Sequence, residues 1–312
     1  MSSAIVTGGA GFIGSHIVDS LLADGYEVTV VDDLTTGSID RVPADAELSI
    51  TDISDAEALG EVFDRVRPSA VFHLGAQSMV TVSVADPVRD CEVNVRGTLN
   101  VVEAATRYRA PVVFTSTGGA LYGDSAPLPT PETHIPAPIS PYGASKWAGE
   151  SYVHTWALAH DIPHVVCRLG NVYGPRQSAH GEAGVVAIFT RALFDGRSPK
   201  LFGYGEATRD YIHVADVVAC LRAASGVRGV FNVATGIETS GAEVWEALRE
   251  ASGTDLEPEL APLRTGELTR SCMDPGDALR ELGWRAAIPF AEGVRNTYAA
   301  LVDEFEAEQC RR

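Results

Sequence analysis

The chain has 312 residues, of which 45 per cent are apolar, so it is long enough for two domains or for one large domain with an appendage. Its 24 Lys and Arg against 42 Asp and Glu give a formal charge of −18, which argues against nucleic acid or an anionic membrane as a partner. An anionic substrate would therefore need a local group of arginines. No stretch approaches 18 consecutive apolar residues, and the N-terminus lacks the basic segment of a signal peptide.

The five cysteines are odd in number and widely spaced, at positions 91, 167, 220, 272 and 310. They form no CxxC pair and no Cys/His spacing typical of a metal site. We therefore expect buried free thiols in a protein of the reducing cytoplasm, and no bound metal.

Apolar strands alternate with helical patterns through the first half of the chain. The predicted strands are 4–6, 28–31, 70–73, 112–115 and 164–167, and the predicted helices are 15–24, 55–65, 86–108, 142–159, 185–194, 241–252 and 277–282. This alternation predicts an α/β fold with a Rossmann-type doubly wound parallel sheet, in which ligands bind beyond the carboxyl ends of the strands. After residue 167 the alternation weakens, and segment 304–312 is merely polar.

A glycine-rich turn joins the first predicted strand to the first helix, and an acid follows the second strand. Gly8 permits the tight turn, Gly11 lets the backbone approach a pyrophosphate, and Gly14 lets helix and strand pack closely. The helix N-terminus then faces the phosphates with free N–H groups. Asp32, 18 residues after Gly14, is placed to bind ribose hydroxyls and to repel a 2′-phosphate, so the pattern predicts NAD rather than NADP. The alternative is an ordinary strand–helix–strand turn.

Further candidates for the NAD site follow the ends of other predicted strands. Asp52 is placed to hydrogen-bond the adenine amine, with Ile53 against the ring; the alternative for Asp52 is an N-cap of the next helix. The predicted cofactor contacts are Gly8, Gly11, Phe12, Ile13, Gly14, Asp32, Asp33, Leu34, Thr36, Gly37, Asp52, Ile53, Leu74, Ala76, Gln77, Asn94, Ser116, Tyr142 and Lys146.

Tyr142 and Lys146 are four residues apart in a predicted helix that has Ser140 as its cap and Pro141 in its first turn. Residues at this spacing lie on one helix face. A free tyrosine has a pKa of about 10, and a cation beside the phenol favours its ionised form. The pair therefore predicts a general base for a sugar hydroxyl near neutral pH. The alternative is a surface tyrosine and a solvated lysine that share a face by chance.

With these motifs the chain resembles the extended short-chain dehydrogenase/reductase family. The glycine-rich run 7–14 and the Tyr142-x-x-x-Lys146 pair carry that resemblance, and the runs 121–123, 168–175 and 209–216 resemble the members that act on nucleoside-diphosphate sugars. The match extends over nearly the whole chain, and it is most similar to bacterial UDP-glucose 4-epimerases. The resemblance implies NAD as cofactor and a UDP-sugar as substrate.

The resemblance also implies substrate contacts. Asn171 would touch the sugar or the diphosphate, and Arg209 and Arg264 would bind the diphosphate by bidentate contacts. These arginines are the local group that the overall charge requires. Glu267 would bind the uridine ribose. The full set of expected substrate contacts is Thr117, Gly118, Tyr142, Asn171, Arg176, Val186, Phe202, Arg209, Arg264 and Glu267.

Positions 119 and 120 decide which reaction the resemblance implies. Related dehydratases carry Asp-Glu there and related decarboxylases carry a Glu, whereas this chain has Gly119 and Ala120, which cannot move a proton. The expected activity is therefore a 4-epimerase that inverts C4 of UDP-glucose/UDP-galactose or of UDP-glucuronate/UDP-galacturonate through a 4-keto intermediate. The alternatives are an NAD-dependent nucleotide-sugar dehydrogenase or reductase, and a catalytically silent NAD-binding regulator.

Position 118 departs from the pattern. The best-known epimerases carry there a Ser or Thr hydroxyl that aids the tyrosine, and this chain has Gly118. We predict that Thr117 substitutes, with Ser116 as the alternative, because glycine tolerates unusual backbone dihedrals. The predicted catalytic residues are therefore Tyr142, Lys146 and Thr117. Ser271 falls where relatives gate the pocket, and Arg191 is a candidate for binding a sugar carboxylate.

We expect two parts of unequal size. Residues 1–168 would form the NAD-binding Rossmann domain, to which 206–236 would return, and residues 169–205 and 237–300 would form the substrate-binding region. The resemblance also implies a homodimer formed through helices 86–108 and 142–159. The alternative is that the apolar faces of these helices are buried within one subunit.

Overall fold

The computed structural model describes residues 2–179, 184–264 and 268–310. Its strands are β1 (Ser3–Thr7), β2 (Glu27–Asp32), β3 (Glu47–Ile50), β4 (Ala70–His73), β5 (Val112–Thr117), β6 (Val165–Leu169), β7 (Asn171–Tyr173), β8 (Lys200–Phe202), β9 (Thr208–Arg209), β10 (Tyr211–His213), β11 (Gly229–Val233), β12 (Thr239–Ser240) and β13 (Glu259–Ala261). Its helices are α1 (Phe12–Ala23), α2 (Ala56–Val66), α3 (Val80–Ala85), α4 (Pro87–Cys91), α5 (Thr98–Arg107), α6 (Pro141–His160), α7 (Val185–Phe194), α8 (Val214–Ala224), α9 (Gly241–Ser252), α10 (Gly276–Leu282) and α11 (Phe290–Cys310).

A seven-stranded sheet in the order β11-β6-β5-β4-β1-β2-β3 forms the centre of the fold. Every neighbouring pair in it is parallel. Parallel strands covered on both faces are continuously apolar, and Ala4, Ile5 and Val6 are all fully buried. The doubly wound parallel sheet expected from the alternation is confirmed.

Two hydrophobic clusters cover the two faces of this sheet. On one face, Ile17 and Leu21 of α1 pack against the sheet, and on the other Phe63 of α2 packs with Val101 of α5. Full burial of one such side chain stabilises the fold by about 1.5–3 kcal/mol. A third cluster, formed mainly by residues of α7, α9 and α11, includes Trp245.

Several elements differ from the sequence prediction. The predicted helix 86–108 is α4 and α5 joined by a π-helical segment, Glu92–Gly97. The sequence did not predict β3, α3, α8 or β11. Segment 304–310, interpreted as merely polar, is the end of α11, where Phe305 is buried.

The cysteine prediction is partly wrong. All five cysteines are free, but Cys91 and Cys310 are exposed rather than buried. Within the described ranges, no helix is long and apolar enough to cross a membrane.

Candidate active site

A cavity of about 640 Å³ lies at the carboxyl ends of the central strands. Most of the predicted cofactor and catalytic residues line it together: Gly8, Gly11, Phe12, Ile13, Gly14, Asp32, Asp33, Thr36, Asp52, Ile53, Leu74, Ala76, Ser116, Thr117, Tyr142 and Lys146. Other lining residues were not predicted from the sequence, among them Arg41, Gln177 and Ser178.

The glycine-rich turn is built so tightly that side chains are excluded. Gly8 has φ +69°, and a Cβ placed on it would lie 2.7 Å from the backbone nitrogen of Gly75. A Cβ on Gly14 would overlap with the carbonyl oxygen of Gly8. Because these neighbours are backbone atoms, they cannot rotate away, and the start of α1 stays open to a ligand.

Asp32 is fixed at the end of β2 by two backbone donors. Its carboxylate accepts the Ala10 N–H at 3.0 Å and the Leu34 N–H at 2.9 Å. Burial raises the pKa of this carboxyl, and the two bonds oppose that shift. A Cβ on Gly37 would lie 2.7 Å from an Asp32 oxygen. Leu34 and Gly37, predicted as cofactor contacts, thus contact Asp32 and are not among the described residues that line the cavity.

The N-cap alternative for Asp52 is wrong. Asp55 caps α2 by accepting the N–H groups of Glu57 and Ala58. Asp52 instead accepts hydrogen bonds from Ser54 and from the Arg89 guanidinium, at 2.8 and 2.9 Å. Its place in the cavity wall keeps the adenine contact open as a prediction.

Gln77 and Asn94 lie in a buried network rather than in the described cavity wall. Both side-chain amides donate to one oxygen of Asp90, which is 1 % exposed. The Asn94 amide also donates to the hydroxyl of Ser145 on α6, at 3.1 Å. This network therefore fixes α6 relative to α4; a direct cofactor contact by Gln77 or Asn94 stays a prediction.

The start of α6 places Tyr142 beside the end of β5. Ser140 accepts the Gly143 N–H and Pro141 occupies the first turn, so the predicted cap is confirmed. The Tyr142 N–H donates to the Ser83 hydroxyl at 3.1 Å. A Cβ on Gly143 would overlap with the Ala120 carbonyl oxygen, so this glycine allows the helix to approach the turn that follows Thr117.

Lys146 is buried, which contradicts the solvated alternative. Its side chain is 3 % exposed, and its ammonium lies 4.3 Å from the centroid of the Phe114 ring. Burial lowers its pKa to about 8, although the charges of Glu150 and Asp90 oppose the shift. The cation is held in place by an aromatic face and nearby carboxylates instead of by water.

Both candidate hydroxyls at the end of β5 line the same cavity. Thr117 accepts the Ala120 N–H at 3.3 Å, which leaves its own hydroxyl hydrogen to be donated. The Ser116 oxygen is buried and has no hydrogen-bond partner among the described residues. A buried hydroxyl without a partner in a cavity wall fits a polar ligand there.

Gly118 is a glycine for a structural reason. A Cβ at this position would overlap with the sulfur of Met273, which is 2 % exposed. Met273 therefore occupies the space that a serine or threonine at position 118 would need. Gly118 lines a second, smaller cavity of about 290 Å³ together with Ser271 and Arg270.

The residues expected at the sugar and diphosphate are distributed over several elements. Gly119 lines the smaller cavity, and the Asn171 oxygen lies 3.5 Å from a Cβ built on Gly119, although Asn171 is not itself among the described lining residues. The Arg264 guanidinium stacks on the Phe202 ring at 3.9 Å, and Arg209 donates to the Thr208 carbonyl at 2.8 Å. None of Arg264, Phe202 and Arg209 is among the described residues that line the two cavities, and Glu267 lies outside the described residues.

Three other candidates lie where a substrate role is not favoured. Val186 is fully buried in the third cluster, so its side chain offers no surface to a ligand. Arg176 pairs with Asp19. Arg191 pairs with Asp195 and Glu308 and stacks on Phe305, so the structure does not support it as a carboxylate ligand.

These observations fit a dinucleotide. The glycine-rich turn has no room for side chains, and Asp32 lies at the end of β2. The buried Ser116 hydroxyl has no hydrogen-bond partner among the described residues. Comparison with known proteins gives the class: residues 4–234 match the model of the NAD dependent epimerase/dehydratase family. The chain belongs to this family, which confirms the resemblance and the NAD cofactor.

Particular relatives are similar over nearly their whole length. A UDP-glucose 4-epimerase of Mycolicibacterium smegmatis is 45 % identical over 302 residues, 94 % of this chain and 96 % of the relative. The structure of a Thermotoga maritima UDP-glucose 4-epimerase with UDP-glucose has a TM-score of 0.95 at 42 % identity, covering 97 % of this chain and 99 % of that one. A Thermus thermophilus UDP-glucose 4-epimerase in complex with NAD has a TM-score of 0.89 at 43 % identity, covering 96 and 98 %.

Proposed function

We propose that this protein is an NAD-dependent UDP-sugar 4-epimerase whose sugar is the glucose/galactose pair. One observation carries the proposal: Thr117, Tyr142 and Lys146 line the same cavity as the glycine-rich turn. This shared cavity supports the proposal that a proton acceptor and a hydroxyl donor act beside a bound dinucleotide. The similarity to UDP-glucose 4-epimerases supports the same reaction.

Each residue has a stated role in this proposal. Tyr142 removes the proton of the 4-hydroxyl, Thr117 donates a hydrogen bond to the 4-oxygen, and Lys146 keeps a positive charge beside the phenol and the cofactor ribose. Bound NAD supplies a hydride acceptor that can return the hydride to either face of C4. Gly119 and Ala120 add no further acid or base, so the protein supports inversion and not elimination.

The charges around the cavities favour a neutral hexose over a uronate. Among the described lining residues the cations are Arg41, Lys146 and Arg270. Lys146 is buried against Phe114, and Arg270 is paired with Glu238 by two hydrogen bonds. Arg41 interacts electrostatically with Asp32. Asp32 lies at the end of the cavity where the adenosine would bind. A sugar carboxylate would therefore have to compete with Glu238 for its cation.

The test is turnover without added NAD. UDP-galactose is mixed with the purified protein, and UDP-glucose is measured together with any NADH released. We expect UDP-glucose to form with no net NADH, and Tyr142→Phe to lower kcat by about 10²–10⁴, the usual contribution of a general base. UDP-glucuronate in parallel is expected to turn over far more slowly.

The matched control is Tyr152→Phe, which removes a phenol oxygen from an exposed position of the same helix. It should keep the wild-type rate. Stoichiometric NADH would identify the dehydrogenase or reductase alternative, and an absence of turnover with both substrates would identify the silent regulator. Equal rates for Tyr142→Phe and Tyr152→Phe would exclude the assigned base.

We also expect the homodimer through α5 and α6. Trp147 and Leu158 on α6 are 39 and 58 % exposed in the single chain, and exposed apolar side chains of this size are typical of an interface. Light scattering of the protein measures its mass; a Leu158→Glu variant should shift it toward the monomer.

A further inference from the structure

A charged cluster outside the proposed chemistry joins three distant parts of the chain. We name residues 174–178 the capping segment. Its Arg176 donates from the guanidinium to Asp19 of α1 at 2.6 Å, and from its backbone N–H to Glu304 of α11 at 3.1 Å. The Pro175 carbonyl oxygen lies 3.0 Å from the Nε2 of His16, also on α1. The capping segment is thus tied to the helix that begins at the glycine-rich turn.

The capping segment faces the cofactor cavity. Gln177 and Ser178 line this cavity, as do Gly11 and Phe12 at the start of α1. The Gln177 side chain is itself fixed by donating to the Val172 carbonyl at 2.9 Å. A ligand bound at the start of α1 would therefore lie in the same cavity as this segment.

The backbone of the capping segment needs external support. Arg176 has φ +66°, a left-handed conformation that costs a non-glycine residue about 1–2 kcal/mol. Its bonds to Asp19 and Glu304 supply that support from positions 157 and 128 residues away in sequence. Loss of either bond should release the segment from its place at the cavity.

Glu304 also interacts electrostatically with a residue of the cavity wall. Arg41, which lines the cavity, is close to both Glu304 and Arg176. Burial lowers the pKa of the Arg41 guanidinium, and the Glu304 carboxylate opposes this shift. The end of α11 therefore interacts electrostatically with Arg41, which lines the cofactor cavity.

We propose that Asp19, Arg176 and Glu304 form a clasp that holds the capping segment at the dinucleotide cavity and slows the release of NAD. The C-terminal helix is then part of cofactor retention. An epimerase gains from such retention, because the same dinucleotide must take and return the hydride before it leaves. The proposal rests on NAD binding and is independent of which sugar reacts.

The experiment measures exchange of bound NAD. The full-length protein is loaded with NAD, isotopically labelled NAD is added in excess, and the retained unlabelled fraction is followed with time. Asp19→Asn and Glu304→Ala should each speed exchange about two- to fivefold, because partly exposed ion pairs and single hydrogen bonds have modest free energies. Asp19→Asn combined with Arg176→Gln should exchange no faster than the larger single effect, since both break one pair.

The matched control is Asp24→Asn, which breaks the pair between Asp24 and Arg222 at the other end of α1. It removes the same charge but does not touch the capping segment, and we expect wild-type exchange. Melting temperatures of the NAD-free variants separate retention from general stability. Faster exchange than Asp24→Asn at an equal NAD-free melting temperature supports the clasp. Exchange at the Asp24→Asn rate, or faster exchange that follows only a lowered NAD-free melting temperature, overturns it.

Discussion

The larger cavity and the smaller cavity beside Gly118, which we call the cofactor end and the sugar end of the site, obtain their shape in different ways. At the cofactor end several close contacts join residues near one another in sequence, such as Gly14 with Gly8 and Asp32 with Leu34. At the sugar end they join residues far apart: Met273 fills the space beside Gly118. Much of the cofactor end is therefore set by contacts within short segments of backbone, whereas the sugar end exists only after distant segments have packed.

One buried carboxylate illustrates the second case. Asp210 accepts hydrogen bonds from Thr235 and Gly236 and from the Met273 N–H, and its carbonyl accepts the Asn171 N–H at 2.7 Å. Burial raises the pKa of its carboxyl, while these bonds lower it. A single residue thus positions both Met273, which contacts Gly118, and Asn171, which lies near Gly119.

Among these variants the largest effect on activity should come from the cofactor end, where the neighbouring backbone atoms cannot move away. We expect Gly14→Ala to destabilise the protein by about 1–3 kcal/mol, since its Cβ overlaps with backbone. It should also lower epimerase activity on the order of 100-fold, as small displacements at a positioned site do. The measurements are the NAD content of the purified protein, turnover and denaturant unfolding.

Gly60→Ala is the control for that change. Gly60 lies within α2, and a Cβ built on it would lie 3.3 Å from the flexible end of the Arg107 side chain. Alanine favours a helix over glycine by up to about 1 kcal/mol, so this variant should be at least as stable as wild type and retain NAD. Normal NAD content in Gly14→Ala would contradict the role of backbone packing at the cofactor end.

The same contrast explains what the sequence could predict. Strand 70–73 and helices 185–194 and 241–252 have the predicted bounds, because apolar periodicity and caps are local. Helix α11 was missed, since its apolar positions are separated by charged residues. Arg176 was expected to touch substrate. The sequence could not show its actual partners, Asp19 and Glu304, because they lie more than a hundred residues away. Asp55 rather than Asp52 caps α2. The choice depends on the direction of the backbone at each residue, which the sequence does not show.

The next effect sharpens the sugar end of the comparison. Gly118→Ser should destabilise the protein by about 1–3 kcal/mol because it overlaps with Met273. Met273→Ala should cost about 2–5 kcal/mol as a buried truncation. The double variant should be more stable than the sum of these losses by about 1 kcal/mol or more, since the second change makes room for the first. Denaturant unfolding of the four proteins measures this coupling.

Gly119→Ser combined with Met273→Ala provides a matched double-mutant cycle as the control. A Cβ there meets only the Asn171 oxygen, at an ordinary contact distance of 3.5 Å. Its effect should add to that of Met273→Ala without coupling. Equal coupling energies in the two cycles would show that Met273 does not determine the residue at position 118.

The last effect concerns Lys146, the buried lysine of the larger cavity, and is the smallest per unit of the quantity measured. Below pH 8 Lys146 is charged in the folded and the unfolded protein, so the folded state carries the full cost of burying the charge. Its pKa is lowered from 10.5 to about 8 on folding, so between these values the folded protein loses the proton first. The unfolding free energy should then rise with pH by up to about 1.4 kcal/mol per unit. Comparing NAD-free wild type with Lys146→Met isolates this contribution, and the advantage of the variant should shrink from pH 8 to pH 10.

Epimerase activity should fall over the same range because the base loses its neighbouring cation. A stability difference that does not change with pH would mean that Lys146 has the same pKa in the folded and the unfolded protein, as a well-solvated lysine does.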